Sequence, residues 1–158
     1  MTQTPLQILR QHPFATEFRP EHLERLAEIA KAVHFDAGQV IFHEGEAFTV
    51  FYLLSDGMVA LELEMPEHLM RVQTLFPGDE FNWSAFIPHA GKHFQARALS
   101  PVSALAFEGE ELLASFKKDP EFGLAFMLRL MGVVSERLRA TRVQLLDMYS
   151  PVAKRAGT

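Results

Sequence analysis

The residues of this 158-residue chain that could do chemistry gather between Phe76 and Ser100, in FPGDEFNWSAFIPHAGKHFQARALS. This stretch holds the only tryptophan, Trp83. Gly78 marks a turn, Asn82–Trp83–Ser84 reads as the start of a short helix, and Lys92–His93 forms a basic return segment. Backbone N–H groups at a helix start and a lysine ammonium are both suited to an anion. Trp83 has two readings: an aromatic wall over a ligand, or a core side chain that plugs the space. Lys92 and His93 either clamp an anion or form the polar face of an ordinary strand. His93 and Arg97 share strand parity and Lys92 has the opposite parity, so the three do not face one way without a bulge. The candidate ligand-binding residues are Gly78, Asn82, Trp83, Ser84, Lys92 and His93.

Other chemistries find less in the chain. There are no cysteines, which excludes disulfides, thiolate metal sites and cysteine nucleophiles. Seven histidines raise a metal hypothesis, but no His-x-His pair occurs. His89 and His93 are four apart, with Pro88 and Gly91 against a helix there, so no metal site is expected. The carboxylates Glu44 and Glu46 around Gly45, and Asp79 and Glu80 after Gly78, fit solvated turns. Ser84 has no base or orienting acid at a recognisable spacing. The expectation is a protein that is not an enzyme and holds no cofactor. The net charge of -5 argues against a grip on nucleic acid, so no DNA partner is expected. Apolar runs such as Val50–Leu54 are too short to span a bilayer, and MTQTPLQILRQ does not read as a secretory signal. A cytoplasmic protein without a membrane partner is the default.

The elements that must position these residues follow from periodicity. Residues 1–33 read as N-terminal helices: Leu23, Leu26, Ala27, Ile29, Ala30 and Val33 recur at helical spacing behind Pro20. Residues 34–107 read as short strands with glycine turns at Gly38, Gly45, Gly57 and Gly78, the pattern of a sandwich or jelly roll. Residues 108–149 return to helix, with a short piece before Pro120 and a long one after it. In the long helix Met127, Met131, Val134, Leu138, Leu145 and Met148 form a heptad seam, which predicts a homodimer through that helix. A regulatory protein partner for the methionine surface is a further reading. Arg137, Arg139 and Arg142 lie off the seam. One domain, 1–150, and a tail, 151–158, complete the organisation.

This order of parts resembles the cyclic-nucleotide-binding domain of the cAMP receptor protein (Crp/Fnr) family. The likeness is carried by FDAGQVIFHEGEAFTVFYLLSDGMVALEL, by Phe76–Pro77–Gly78–Asp79 and by Arg97–Ala98–Leu99–Ser100. It implies a mixed α and β fold: a double-stranded β-helix (jelly roll) with N-terminal helices and a long C-terminal helix. It also implies a regulatory, signal-transducing role. Binders in that family carry Gly-Glu at the start of a short helix and an Arg about ten residues on. The Glu meets the ribose 2′-OH and the Arg the cyclic phosphate. Here those positions hold Asn82 and Trp83, and then Lys92 or His93. The departure implies a sensor domain that binds a small ligand other than cAMP or cGMP, or none. The alternatives are a true cyclic-nucleotide binder with an atypical cassette and a ligand-free interaction module. The family's helix-turn-helix DNA-binding domain has no counterpart in Pro151–Thr158, so the resemblance implies a stand-alone regulatory domain.

Overall fold

Two helices, α1 (Pro5–Gln11) and α2 (Pro20–Ile29), lead into eight strands. These are β1 (Lys31–Phe35), β2 (Val40–Phe42), β3 (Val50–Asp56), β4 (Val59–Glu64), β5 (Leu69–Leu75), β6 (Glu80–Phe81), β7 (Gln95–Ala98) and β8 (Val102–Glu108). Two more helices, α3 (Gly109–Lys118) and α4 (Pro120–Tyr149), close the chain. The computed structural model describes residues 2–43, 49–86 and 94–149. The strands pair antiparallel into two four-stranded sheets, β1-β8-β3-β6 and β2-β7-β4-β5, the jelly roll expected from the strand spacing.

β3 shows why the roll has two cores. Successive side chains of a strand point to opposite faces. Tyr52 and Leu54 turn into the roll, where they join Ile41, Phe42, Val59, Leu75, Phe81 and a group of alanines. Phe51 and Leu53 turn outward and are buried again under the helices, with Leu105 and Phe107 of β8. The continuous apolar run of β3 is thus that of a strand covered on both faces. The helix-side core is aromatic. The Phe126 ring of α4 meets Phe14 at 5.4 Å between centroids and Phe51 at 5.9 Å, and Phe14 meets Phe51 at 5.6 Å.

The helices begin and end where local chemistry dictates. Thr4 caps α1 with a reciprocal capping box to Gln7, and Pro20 stands in the first turn of α2. The change of period comes earlier than the sequence spacing predicts. α2 ends at Ile29, and Lys31–Phe35 is already a strand paired with Val102–Ala106. Val33 continues a helical spacing on paper, yet it packs against the roll interior. α4 runs unbroken through Gly123 and Gly132 for 30 residues. Its Arg129 donates to the carbonyls of Phe14 (2.9 Å) and Pro13 (3.0 Å), and its guanidinium lies over the Phe14 ring.

Because Phe126 is fully packed among aromatic rings, Phe126→Ala should cost about 3–5 kcal/mol of stability, read by urea unfolding. Arg139→Ala, on the exposed face, should leave the urea midpoint nearly unchanged in the same assay.

Candidate functional site

The candidate cassette starts at a turn that the rest of the fold holds tightly. Gly78 has φ +97, a conformation that L side chains rarely adopt, and a Cβ there would stand 3.3 Å from the Pro13 ring. The Gly78 N–H donates to the Leu54 carbonyl, and the Leu54 N–H donates to the Asp79 carbonyl, each at 2.9 Å. Asp79 Oδ2 accepts from the Phe76 N–H at 2.8 Å, so this carboxylate closes its own turn.

β6 then pairs with β3, Glu80 opposite Leu53 and Phe81 opposite Tyr52. Phe81 enters the roll and stacks on Tyr52 at 4.7 Å, with Phe42 at 6.5 Å on Phe81. Burial pushes the Tyr52 phenol well above its ordinary range. Glu80 is only 6 % exposed. Arg137 of α4 donates to its carboxylate at 2.7 Å and to its backbone carbonyl at 3.0 Å. Burial holds the Glu80 carboxyl above the usual carboxylate range, against the opposing pull of Arg137.

Asn82 takes a positive φ of 66° and is the one described non-glycine residue to do so. Asparagine tolerates this region because its short amide bonds locally. Here Nδ2 donates to the Val50 carbonyl, and Oδ1 accepts from the Ser84 hydroxyl at 3.3 Å. The next four residues, Trp83–Phe86, form a single 3-10 turn. Trp83, Ala85 and Phe86 pack against the helix-side core and not the roll interior. Phe86 reaches the rings of Phe51 and Phe126, both at 5.6 Å.

Gly78, Asn82, Trp83 and Ser84 therefore lie on one continuous segment between β5 and the helix-side core. Lys92 and His93 lie outside the described residues. Arg97 is tied within its sheet. Its Nε and the Gln95 amide both donate to Glu62 Oε1 at 3.0 Å, and Glu62 is 8 % exposed. Arg97 is thus part of a polar network within its own sheet. Among the described residues no cluster of three His, Asp or Glu side chains is placed to hold a metal ion.

The seam on α4 divides. Met131, Leu138, Leu145 and Met148 are exposed. Met127 and Val134 are half-buried, and Met127 packs on the helix-side core. Leu124 and Leu128 extend the exposed stripe instead. From Leu138 to Tyr149 every residue of α4 is exposed, so Arg137 is the last α4 residue that is even partly buried. Sequence reasoning missed the Glu80–Arg137 pin and the positive φ of Asn82. The second had a signal, since Asn82 stands at the glycine position of the resembled cassette.

The sequence model of the cyclic nucleotide-binding domain family matches residues 32–119. A proposed cyclic nucleotide-binding protein of Geobacter metallireducens superposes with a TM-score of 0.75 at 27% identity, over 87% of this chain and 99% of that one. The catabolite activator protein of Thermus thermophilus shares the fold with a TM-score of 0.68 at 22% identity, over 90% of this chain and 63% of that one. A proposed potassium channel protein of Rhodopseudomonas palustris is 25% identical over 108 residues, 68% of this chain. The match spans about a quarter, 26%, of that relative's length.

The Glu80–Arg137 pin makes a signed prediction. Arg137→Ala leaves a buried carboxylate unpaired and should cost about 3–5 kcal/mol near pH 7. A carboxyl whose folded pKa lies above 4.5 gives stability that is complete below 4.5 and lost as pH rises through the folded value. Removing Arg137 raises that value further. The deficit of the variant against wild type should therefore shrink as pH falls from 7 toward 5, measured by chemical denaturation at each pH.

Proposed function

The chain belongs to the cyclic nucleotide-binding domain family, and on that premise we propose a non-catalytic sensor domain whose cassette binds cAMP and cGMP weakly or not at all. Its ligand is a different small anion, or none, and its state passes to α4 and a second copy of the chain. The observation that carries this reading is how the cassette's carboxylates are used. Trp83 stands where the resemblance puts the ribose-binding Glu, and indole only donates. Glu80 is engaged by Arg137, and Asp79 closes its own turn. Where the resemblance puts the phosphate-binding Arg, the sequence has Lys92 or His93, and neither makes a guanidinium's two parallel bonds.

Each lost charge-assisted bond costs about 1.5–3 kcal/mol. Two such losses weaken binding by roughly two to four decades where they add. Calorimetry with cAMP and cGMP, and Trp83 fluorescence, should show no saturable response at micromolar concentration. A micromolar or tighter response restores the ordinary cyclic-nucleotide sensor. The ligand-free interaction module is favoured by one observation, the Phe42–Phe81–Tyr52 ring stack inside the roll. A panel of small anions that leaves Trp83 silent while the protein still dimerises selects that reading.

The dimer rests on the exposed Leu124, Leu128, Met131, Leu138 and Leu145 of α4. Beyond Arg137 this stripe stands clear of its own domain, and in the proposed dimer a partner covers it. Sedimentation should give a dimer for wild type and a monomer for the double substitution Leu138→Asp and Leu145→Asp. A wild-type monomer at high micromolar concentration would sink this part. Residues of α4 do not make a DNA-reading element in this proposal: the chain is acidic, and Arg137 and Arg139 are paired with Glu80 and Glu136. The Rhodopseudomonas potassium channel relative suggests one setting for such a domain, as the sensor of a longer protein.

A further inference from the structure

We propose that His12 is an acid-sensitive clasp that holds the N-terminal segment 12–14, and through it α4, against the roll. The inference needs neither a ligand nor a dimer. It starts from the bonds of one ring. His12 is 4 % exposed. Its Nδ1 lies 3.2 Å from the Phe14 backbone N–H, and its Nε2 lies 3.0 Å from the Leu54 carbonyl. A backbone N–H only donates and a carbonyl only accepts. The ring is therefore neutral, with its proton on Nε2. A second proton has nowhere to go: on Nδ1 it would face the Phe14 N–H donor to donor, and that bond would be lost.

What the ring joins gives the clasp its reach. The Leu54 carbonyl also accepts from the Gly78 N–H, so His12 is fastened to the turn that opens the cassette. The Pro13 ring packs on Gly78. The carbonyls of Pro13 and Phe14 accept from Arg129 of α4. Residues 12–14 are a strap with the roll at one end and α4 at the other. The charged groups facing His12 are Asp79, which favours the imidazolium, and Arg129, which disfavours it. Glu80, felt by both Asp79 and Arg129, and its partner Arg137 lie in the same junction. Burial outweighs the backbone hydrogen bonds to Leu54 and Asp79 and the Asp79 charge, so the ring titrates below 6.5. Above pH 6.5 His12 is neutral whether the strap is closed or open. As pH falls below 6.5 the open form takes up a proton that the closed form resists, and the clasp weakens.

Hydrogen exchange of the full chain between pH 7.5 and 5.5, corrected for intrinsic exchange, tests this. The opening constants of residues 12–16 and of α4 near Arg129 should rise together, by up to about tenfold per pH unit below 6.5. In His12→Gln, which can still donate to Leu54, the pH dependence should vanish. In Glu80→Gln, which removes the other buried acid of the junction, it should persist. Should His12→Gln not fold, the ¹⁵N shifts of the wild-type imidazole decide: a neutral ring protonated on Nε2 at pH 7.5 is expected. A ring that is charged or protonated on Nδ1 at that pH overturns the clasp. So does an opening that ignores pH, one that persists in His12→Gln or vanishes in Glu80→Gln, or one that leaves α4 untouched.

Discussion

From Phe51 to Leu54, β3 is covered on both faces, by the roll interior and by the helices, so water cannot satisfy its backbone there. Each of its carbonyls and N–H groups must find a partner inside the protein. β8 supplies one edge along the whole strand. The other edge is met by β6 at Tyr52 and Leu53 only. On either side of that short pairing, Val50 receives the Asn82 amide, and Leu54 receives Gly78 and His12. The polar groups of the candidate cassette and of the N-terminal segment are thus committed to completing one strand. A movement of the cassette must either carry β3's edge with it or leave a buried carbonyl unpaired, which costs about 1–3 kcal/mol.

The same constraint explains where α4 is fixed. Its first half is held by packing, with Phe122, Phe126 and Leu130 buried. Two arginines add direction to that packing. Arg129 reads the strap at Pro13 and Phe14, and Arg137 reads β6 at Glu80. Both bind at backbone carbonyls as well as, for Arg137, at a carboxylate. They therefore respond to where the backbone of the strap and cassette lies, and side-chain packing alone would not. Beyond Arg137 about 18 Å of helix, Leu138–Tyr149, stands clear of the domain.

Much of this was legible in the chain. The alternation of Val59–Glu64, the continuous run of β3, Pro120 and the glycine turns place strands and helices close to where they stand. What was not legible depended on partners far away in sequence. Glu80 and Arg137 are 57 residues apart, and nothing local marks either as buried. Asp79 and Glu80 look alike as neighbours at a turn, yet one caps that turn and the other faces the helices. β6 is two residues long and has no periodicity to read. The apolar surface of α4 is wider than one stripe. The sequence cannot tell which flank the chain's own core takes, and here it takes Met127.

The cassette separates conformation from chemistry. At Asn82 the backbone takes a left-handed turn that glycine would adopt without cost. Asparagine bears a modest steric penalty there and returns a side-chain bond to Val50, which glycine cannot make. One residue on, Trp83 contributes no acceptor and instead adds apolar surface to the helix-side core. Both side chains attach the cassette to the scaffold. A segment whose side chains turn toward its own fold is held in place without ligand. Any ligand it does take must then work against that attachment, and the contacts it has to compete with are those that tie the cassette to β3 and α4.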